Sequence, residues 1–329
     1  MVATTQDKQM PRPASRSRPF ARYADRIYLA LLFAASLSIL LLIAGIGIEL
    51  VLGSRESLHA FGWRFFVRQD WDPVRQAFSA LPFILGTLYT SFWALLLAVP
   101  VSVGAAIYLA EMAPAWIRTP ASFLIELLAA IPSVVYGLWG IFVLVPWLVQ
   151  HVETPISANA RLSRLALFSA PPNGNDYLAA SVILAIMVLP FITAVSREIL
   201  RAIPQQVREG SYALGATRWE TITRVVLPYA RGGIIGGVIL GLGRALGETM
   251  AVTMVIGNSP EFHVSLFSPG YTMASIIANE FSEAPLALYR SALIEIGLTL
   301  FIVTMLVNAG ARALIYYTAQ NIHGGGRSA

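Results

Sequence analysis

The chain lacks cysteine, which excludes disulfides, thiolate metal sites and a cysteine nucleophile. It is poor in charge: 12% of its 329 residues are Asp, Glu, Lys or Arg, about half the share of an ordinary soluble domain. Such a surface is not built for water. Lysine occurs once, at Lys8, and no segment reads G-x-x-x-x-G-K-[ST], so the chain carries no nucleotide-hydrolysing engine of that kind. The four histidines, His59, His151, His263 and His323, are scattered and offer no pair at metal-ligand spacing. H-E-x-x-H and G-x-S-x-G are absent as well. An integral-membrane enzyme is therefore the lesser reading, and activity of the chain alone would be its sign. No cofactor is expected.

What is present is apolar sequence, 56% of the residues. A bilayer core of about 30 Å needs about 20 apolar residues in helix. Six stretches meet that length: 27–53, 81–109, 121–149, 177–196, 232–257 and 291–311. The second carries no charge at all. Lipid offers no partner to a sheet edge, so the expectation is an all-α integral membrane protein with six transmembrane helices. Pro100, Pro132, Pro146 and Pro190 fall inside these stretches. Their kinks either line a cavity or reflect ordinary packing. The first stretch is longer than a signal-peptide core and is read as a retained helix.

Orientation follows from the basic residues of the loops. With the N-terminus in the cytoplasm, 15 Lys and Arg fall inside, seven fall outside, and Arg244 lies within a stretch. Both termini are thus expected inside. The formal charge of +5 reads as arginines facing the cytoplasm and lipid headgroups, with no nucleic acid implied. Residues 1–26, with Pro11, Pro13, Pro19 and several Arg, read as a disordered cytoplasmic tail. The transmembrane domain is placed at 27–318, an external loop at 150–176, and a flexible tail at 319–329.

The longest inside loop, 197–231, reads REILRAIPQQVREGSYALGATRWETITRVVLPYAR. Pro204 suits a first helical turn. Val207 and Leu214 are expected on one face with Ile203, and Gly215 breaks the pattern. Trp219, Ile222 and Val226 then recur at spacings of three and four, and Pro228 is expected to end that second helix. This is a helix–turn–helix elbow with apolar knobs and a charged rim. A solvated loop has no reason to carry Trp219 in such company, whereas a docking surface does. A passive channel or scaffold would explain the spans but not the elbow.

Glu209, Gly215, Val225 and Leu227–Pro228 stand at the spacing of the EAA signature, and the loop resembles that of type I ABC importer permeases. Gly210 and Ser211 depart from its two alanines. ALGATRWETITRVVLP, GLGRALGETMAV and GYTMASIIANEF further resemble the PstC-type permeases of phosphate importers, over about residues 27–318. The resemblance implies the type I importer permease fold in a bacterial inner membrane. It implies a heterodimer with a PstA-like permease, a PstB-like ATPase dimer and a PstS-like periplasmic phosphate-binding protein. It also implies ATPase coupling through Glu209, Gly215, Ala216, Thr217, Arg218, Trp219, Leu227 and Pro228.

Arg244 and Glu248 are the charges inside the fifth stretch. Arg244 lies 12 residues in, about 18 Å along a helix at 1.5 Å per residue. Glu248 follows at i+4 and is expected on the same face. A charge at mid-bilayer costs about 2.5–3.5 kcal/mol on insertion scales. Two readings stand: a substrate pathway in which Arg244 holds an oxyanion by two parallel hydrogen bonds and Glu248 competes with it, or an internal ion pair that fixes packing. Sulfate or molybdate suits such an arginine as well as phosphate does. Gly233, Gly237 and Gly241 read as close-packing residues. Ser133 and Tyr136 are further candidate donors to an anion. Glu49, Glu126 and Glu295 are expected to reach interface water or a partner, and Glu111 and Arg118 to have no special role.

Overall fold

The computed structural model describes residues 19–324, with side chains described over 25–313. Among the described residues every regular element is helical. The chain divides into two units, 1–49 and 50–329. Helix α1, Pro19–Gly53, fills the described part of the first unit and ends in the second. It opens at Pro19, whose fixed φ suits a first helical turn. The expected tail is therefore helical from residue 19, and residues 1–18 lie outside the described residues.

The second unit continues with α2 (Arg55–Phe61), α3 (Leu81–Ile107), α4 (Ala115–Ala130), α5 (Ser133–Trp139), α6 (Val145–Leu148), α7 (Thr154–Ala158) and α8 (Tyr177–Arg201). Then follow α9 (Gln205–Ala213), α10 (Arg218–Thr221), α11 (Leu227–Leu246), α12 (Met250–Val255), α13 (Met273–Glu280) and α14 (Ala287–Gly324). The expected flexible tail at 319–329 is thus helical as far as Gly324.

Among the described residues, six helical segments are long and apolar enough to cross a membrane: Asp25–Gly53, Leu81–Met112, Ser133–Ala158, Tyr177–Arg201, Arg218–Leu246 and Ala287–Ala313. Two of them depart most from the apolar runs. The run 121–149 is cut at Ile131–Pro132, because a proline pushes the preceding residue out of the helical region, and Ile131 is extended at ψ 130. The segment that starts after the cut continues to Ala158, into the expected external loop. The run 232–257 begins earlier, at Arg218, and stops at Leu246.

Three prolines that ought to break helices do not. Pro146, Pro155 and Pro228 each follow a π-helical turn: Gly140–Leu144, Val149–Glu153 and Ile222–Val226. Each wider turn is closed by an i+5 bond, such as the Leu227 N–H to the Ile222 carbonyl. The register shifts just ahead of the proline, so its missing N–H and its ring are absorbed. Pro228 therefore does not end the second helix of the elbow.

The core sits between α3, α8 and α11. Ser102 Oγ donates to the Leu189 carbonyl at 3.1 Å, which pins α3 to α8. Gly233, Gly237 and Gly241 form the seam of α11 against α8. A Cβ at those positions would lie 2.4, 3.1 and 2.7 Å from Ile199, Val195 and Ile192. A second cluster gathers Phe65, Trp71, Phe78, Phe83 and Tyr289 over the start of α14. There Trp71 Nε1 donates to Glu280 at 2.9 Å.

Candidate functional site

Two regions carry chemistry, and they lie at opposite ends of α11. That helix has 20 residues, about 30 Å at 1.5 Å per residue.

The first is the elbow. Helix α9 ends at Ala213, and the chain turns away at Gly215, whose φ of +84 is a left-handed conformation that a side chain resists. The Ala216 N–H bonds back to the Ser211 carbonyl at 3.2 Å and the Gly215 N–H to Tyr212 at 2.9 Å, a Schellman-type stop. Thr217 opens α10 with a capping box: its hydroxyl accepts from the Glu220 N–H, and Glu220 accepts from the Thr217 N–H at 2.9 Å. Ser211, one of the departures from the signature, is buried, and its hydroxyl meets that of Thr221 at 3.0 Å. The other departure, Gly210, faces open space.

Ile203, Val226 and Ile222 point inward, with Val207 packed beside the first two. Leu214 does not share their face as expected. It is 91% exposed at the turn, with Trp219 at 65% and Tyr212 close by. The helix stops before Leu214, so the i+4 and i+7 arithmetic no longer holds there. Glu209 is exposed on the outer side of α9, above an open groove of about 340 Å³ that Glu111, Arg201, Gln205, Arg208 and Tyr212 also line.

Glu111, expected to have no role, anchors this elbow. It receives Arg208 through Nη2 at 2.7 Å and Nε at 3.2 Å, while its backbone oxygen accepts from Arg218. Glu111 lies 97 residues before Arg208. A carboxylate at the end of an apolar run was the only signal the sequence offered. Glu126 pairs with Arg197 at 3.2 Å, and Arg197 also holds Glu198 at 2.9 Å with its side chain only 7% exposed. Glu295 does not reach interface water as expected. It is fully buried and faces the Ser57 hydroxyl without closing a hydrogen bond to it. Arg118 closes its own turn by donating to the Ala113 carbonyl at 2.9 Å.

The second region is the break that ends the fifth span. Arg244 lies in the last turn of α11, where unpaired carbonyls favour a cation. The helix stops at Gly247, and Glu248 and Thr249 are non-helical before α12 restarts. The same-face placement of Arg244 and Glu248 is thus corrected: an i+4 relation needs an unbroken helix. Glu248 turns instead to α12, where Oε1 accepts from the Ala251 N–H at 3.4 Å. Arg244 is exposed in this chain and lies within electrostatic reach of the Tyr136 ring.

Tyr136 belongs to the other break, at Pro132. Its hydroxyl donates to the Leu128 carbonyl at 2.8 Å, so that proton is committed within the chain. The two breaks meet at Gly137, where a Cβ would lie 3.2 Å from the Ala251 Cα. Broken helices are tolerated in membranes only where the freed backbone is covered by protein or lines a water-filled path.

Residues 102–323 match the family model described as binding-protein-dependent transport system inner membrane component. The chain belongs to that family. This transport component is 46% identical over 319 residues to the phosphate transport system permease protein PstC of Xylella fastidiosa strain Temecula1, covering 96% of this chain and 97% of that one. It is 45% identical over 306 residues to the protein of the same name from Mesorhizobium japonicum, with 92% and 94% covered. The Pasteurella multocida protein of that name is 48% identical over 279 residues, with 84% and 87% covered. In fold, the component is similar to a chain of a bacterial ABC transporter involved in the import of alginate. The TM-score is 0.58 at 17% identity, covering 90% of this chain and 98% of that one. The component is thus a multi-pass, all-α membrane subunit of a transport system that has other subunits.

Proposed function

We propose that this chain is the permease subunit of an ATP-driven importer of inorganic phosphate. The near-full-length likeness to proteins named phosphate transport system permeases carries the reading. The break beside Arg244 supports it. A guanidinium at a helix end, open to the surroundings of this chain, matches an oxyanion with two parallel hydrogen bonds. Glu248, in the same break but turned to α12, adds a negative charge near the path, which keeps binding weak enough for release.

A PstA-like permease covers the exposed faces of the breaks and completes the pathway. A PstB-like ATPase dimer seats on the elbow through Leu214, Trp219 and Tyr212, and it hydrolyses the ATP. A PstS-like protein delivers phosphate on the opposite side. Both termini and the elbow then face the cytoplasm of the bacterial inner membrane. Closure of the ATPase moves the elbow, and α11 carries that movement over about 30 Å to the Arg244 break.

The test is ATP-dependent uptake of radiolabelled phosphate into vesicles that hold the assembled complex. Wild type is expected to accumulate phosphate. Arg244→Ala is expected to assemble without transport, and Arg244→Lys to fall well below wild type because it loses the fork. Uptake of sulfate or molybdate in place of phosphate would overturn the substrate and leave the coupling reading standing.

A further inference from the structure

Arg208 makes contacts that a docking loop does not need. Its Nη1 donates to the Ile203 carbonyl and its Nη2 to the Leu200 carbonyl, both at 2.7 Å. The Leu200 carbonyl lies in the last turn of α8, which leaves its acceptors without helical partners, and Ile203 follows in the connection to α9. The same guanidinium grips both oxygens of Glu111, in the π-helical turn Tyr108–Met112 that ends α3. The side chains are 18% and 9% exposed, so solvent screens the pair little. Arg218, on the far side of the Gly215 turn, donates to the backbone oxygen of Glu111. Beneath the pair, Ala106, Leu200, Ile203, Val226 and Ala230 form an apolar core from the ends of α3, α8 and α11.

One carboxylate and one guanidinium therefore join the elbow to two spans. We propose that the Arg208–Glu111 pair is the rigid link that makes the elbow and the ends of α3 and α8 move as one body. Arg208 and Glu111 are positioning residues, since neither touches substrate. The proposal rests on the reading of the elbow as the ATPase seat. Without the pair, α9 pivots on its flanking turns at Pro204 and Gly215, and ATPase movement is spent within the loop.

The absence of cysteine gives a clean background for spin labels. Labels would be placed by Val101→Cys on α3 and Gln206→Cys on α9, both exposed positions. The distance between them is read in the complex assembled with its ATPase, without nucleotide and with ATP trapped. The expected result is one unchanged distance in the wild-type background and a nucleotide-dependent shift in Glu111→Ala. In the same preparations, substrate moved per ATP hydrolysed should fall about tenfold in Glu111→Ala, while hydrolysis changes by less than about twofold. The double variant Glu111→Ala/Arg208→Ala should lose no more, because the two residues act as one unit. Where Glu111→Ala does not assemble, Glu111→Gln reads the same quantities. A distance that shifts with nucleotide in wild type, an unchanged transport-to-hydrolysis ratio in the variant, or losses that multiply would overturn the link. Failure of any ATPase to co-purify with wild type would instead remove the docking reading, and the link with it.

Discussion

The Tyr136 hydroxyl donates to the Leu128 carbonyl across the break made by Pro132, at 2.8 Å. Leu128 lies in the last turn of α4, and its carbonyl belongs to a set with few helical partners. Tyr136→Phe should lower stability by about 1 kcal/mol, the net worth of one hydrogen bond. The check is the thermal-unfolding midpoint of the purified chain in detergent. An unchanged midpoint would mean that water or lipid replaces the phenol at no cost.

Gly86 and Gly104 sit on the same helix and should respond in opposite ways. A Cβ at Gly86 would lie 2.0 Å from the Tyr271 backbone oxygen, which cannot move alone. Gly86→Ala should cost about 1–3 kcal/mol as overpacking. Gly104 has nothing within 4 Å. Gly104→Ala should be neutral or should stabilise the isolated chain by up to about 1 kcal/mol, from helix propensity. Yield of monodisperse protein and unfolding midpoint report both.

Asp176 caps α8, with Oδ1 accepting from the Ala179 N–H at 2.9 Å. It is fully buried against Glu153, whose Oε2 accepts from the Asn173 and Gly174 N–H groups at 3.1 Å. Oδ2 of Asp176 and Oε1 of Glu153 are left without partners, and the carboxyls face one another. One proton shared between them would satisfy both oxygens. Burial first, and then the Glu153 charge, push the Asp176 carboxyl up to about 8. An unfolded Asp titrates near about 3.9. The folded state therefore holds the extra proton between these values, and stability declines as pH rises through that window. The decline should reach at most about 1.4 kcal/mol per pH unit. Unfolding midpoints from pH ~5 to ~9 should fall for wild type and stay flatter for Asp176→Asn. A wild-type midpoint that rises over this range would contradict the shared proton.

Trp219 and Leu214 are exposed at the elbow. Trp219→Ala should leave the chain folded and weaken ATPase capture by at least about fivefold, since a buried interface tryptophan is worth more than about 1 kcal/mol. Titration of the ATPase onto the permease in nanodiscs measures this. Equal affinity would place the docking surface elsewhere.

By itself the sequence determined the solvent, the class and the number of spans, because hydropathy over a window is a one-dimensional property. It also determined the elbow, since Gly215, Thr217 and Glu220 act within a few residues of one another. Only the tertiary structure decided where the spans begin and break. The apolar run 232–257 gives no sign that α11 stops at Leu246, because Gly247 and Thr249 are as apolar or small as their neighbours. Nor do Pro146, Pro155 and Pro228 announce the π-helical turns that accommodate them. Only the fold decided which charges meet. Arg208 and Glu111 are 97 residues apart and Arg197 and Glu126 are 71 apart. The pairing of distant ions depends on which helix ends the packing brings together, and local pattern carries no trace of that.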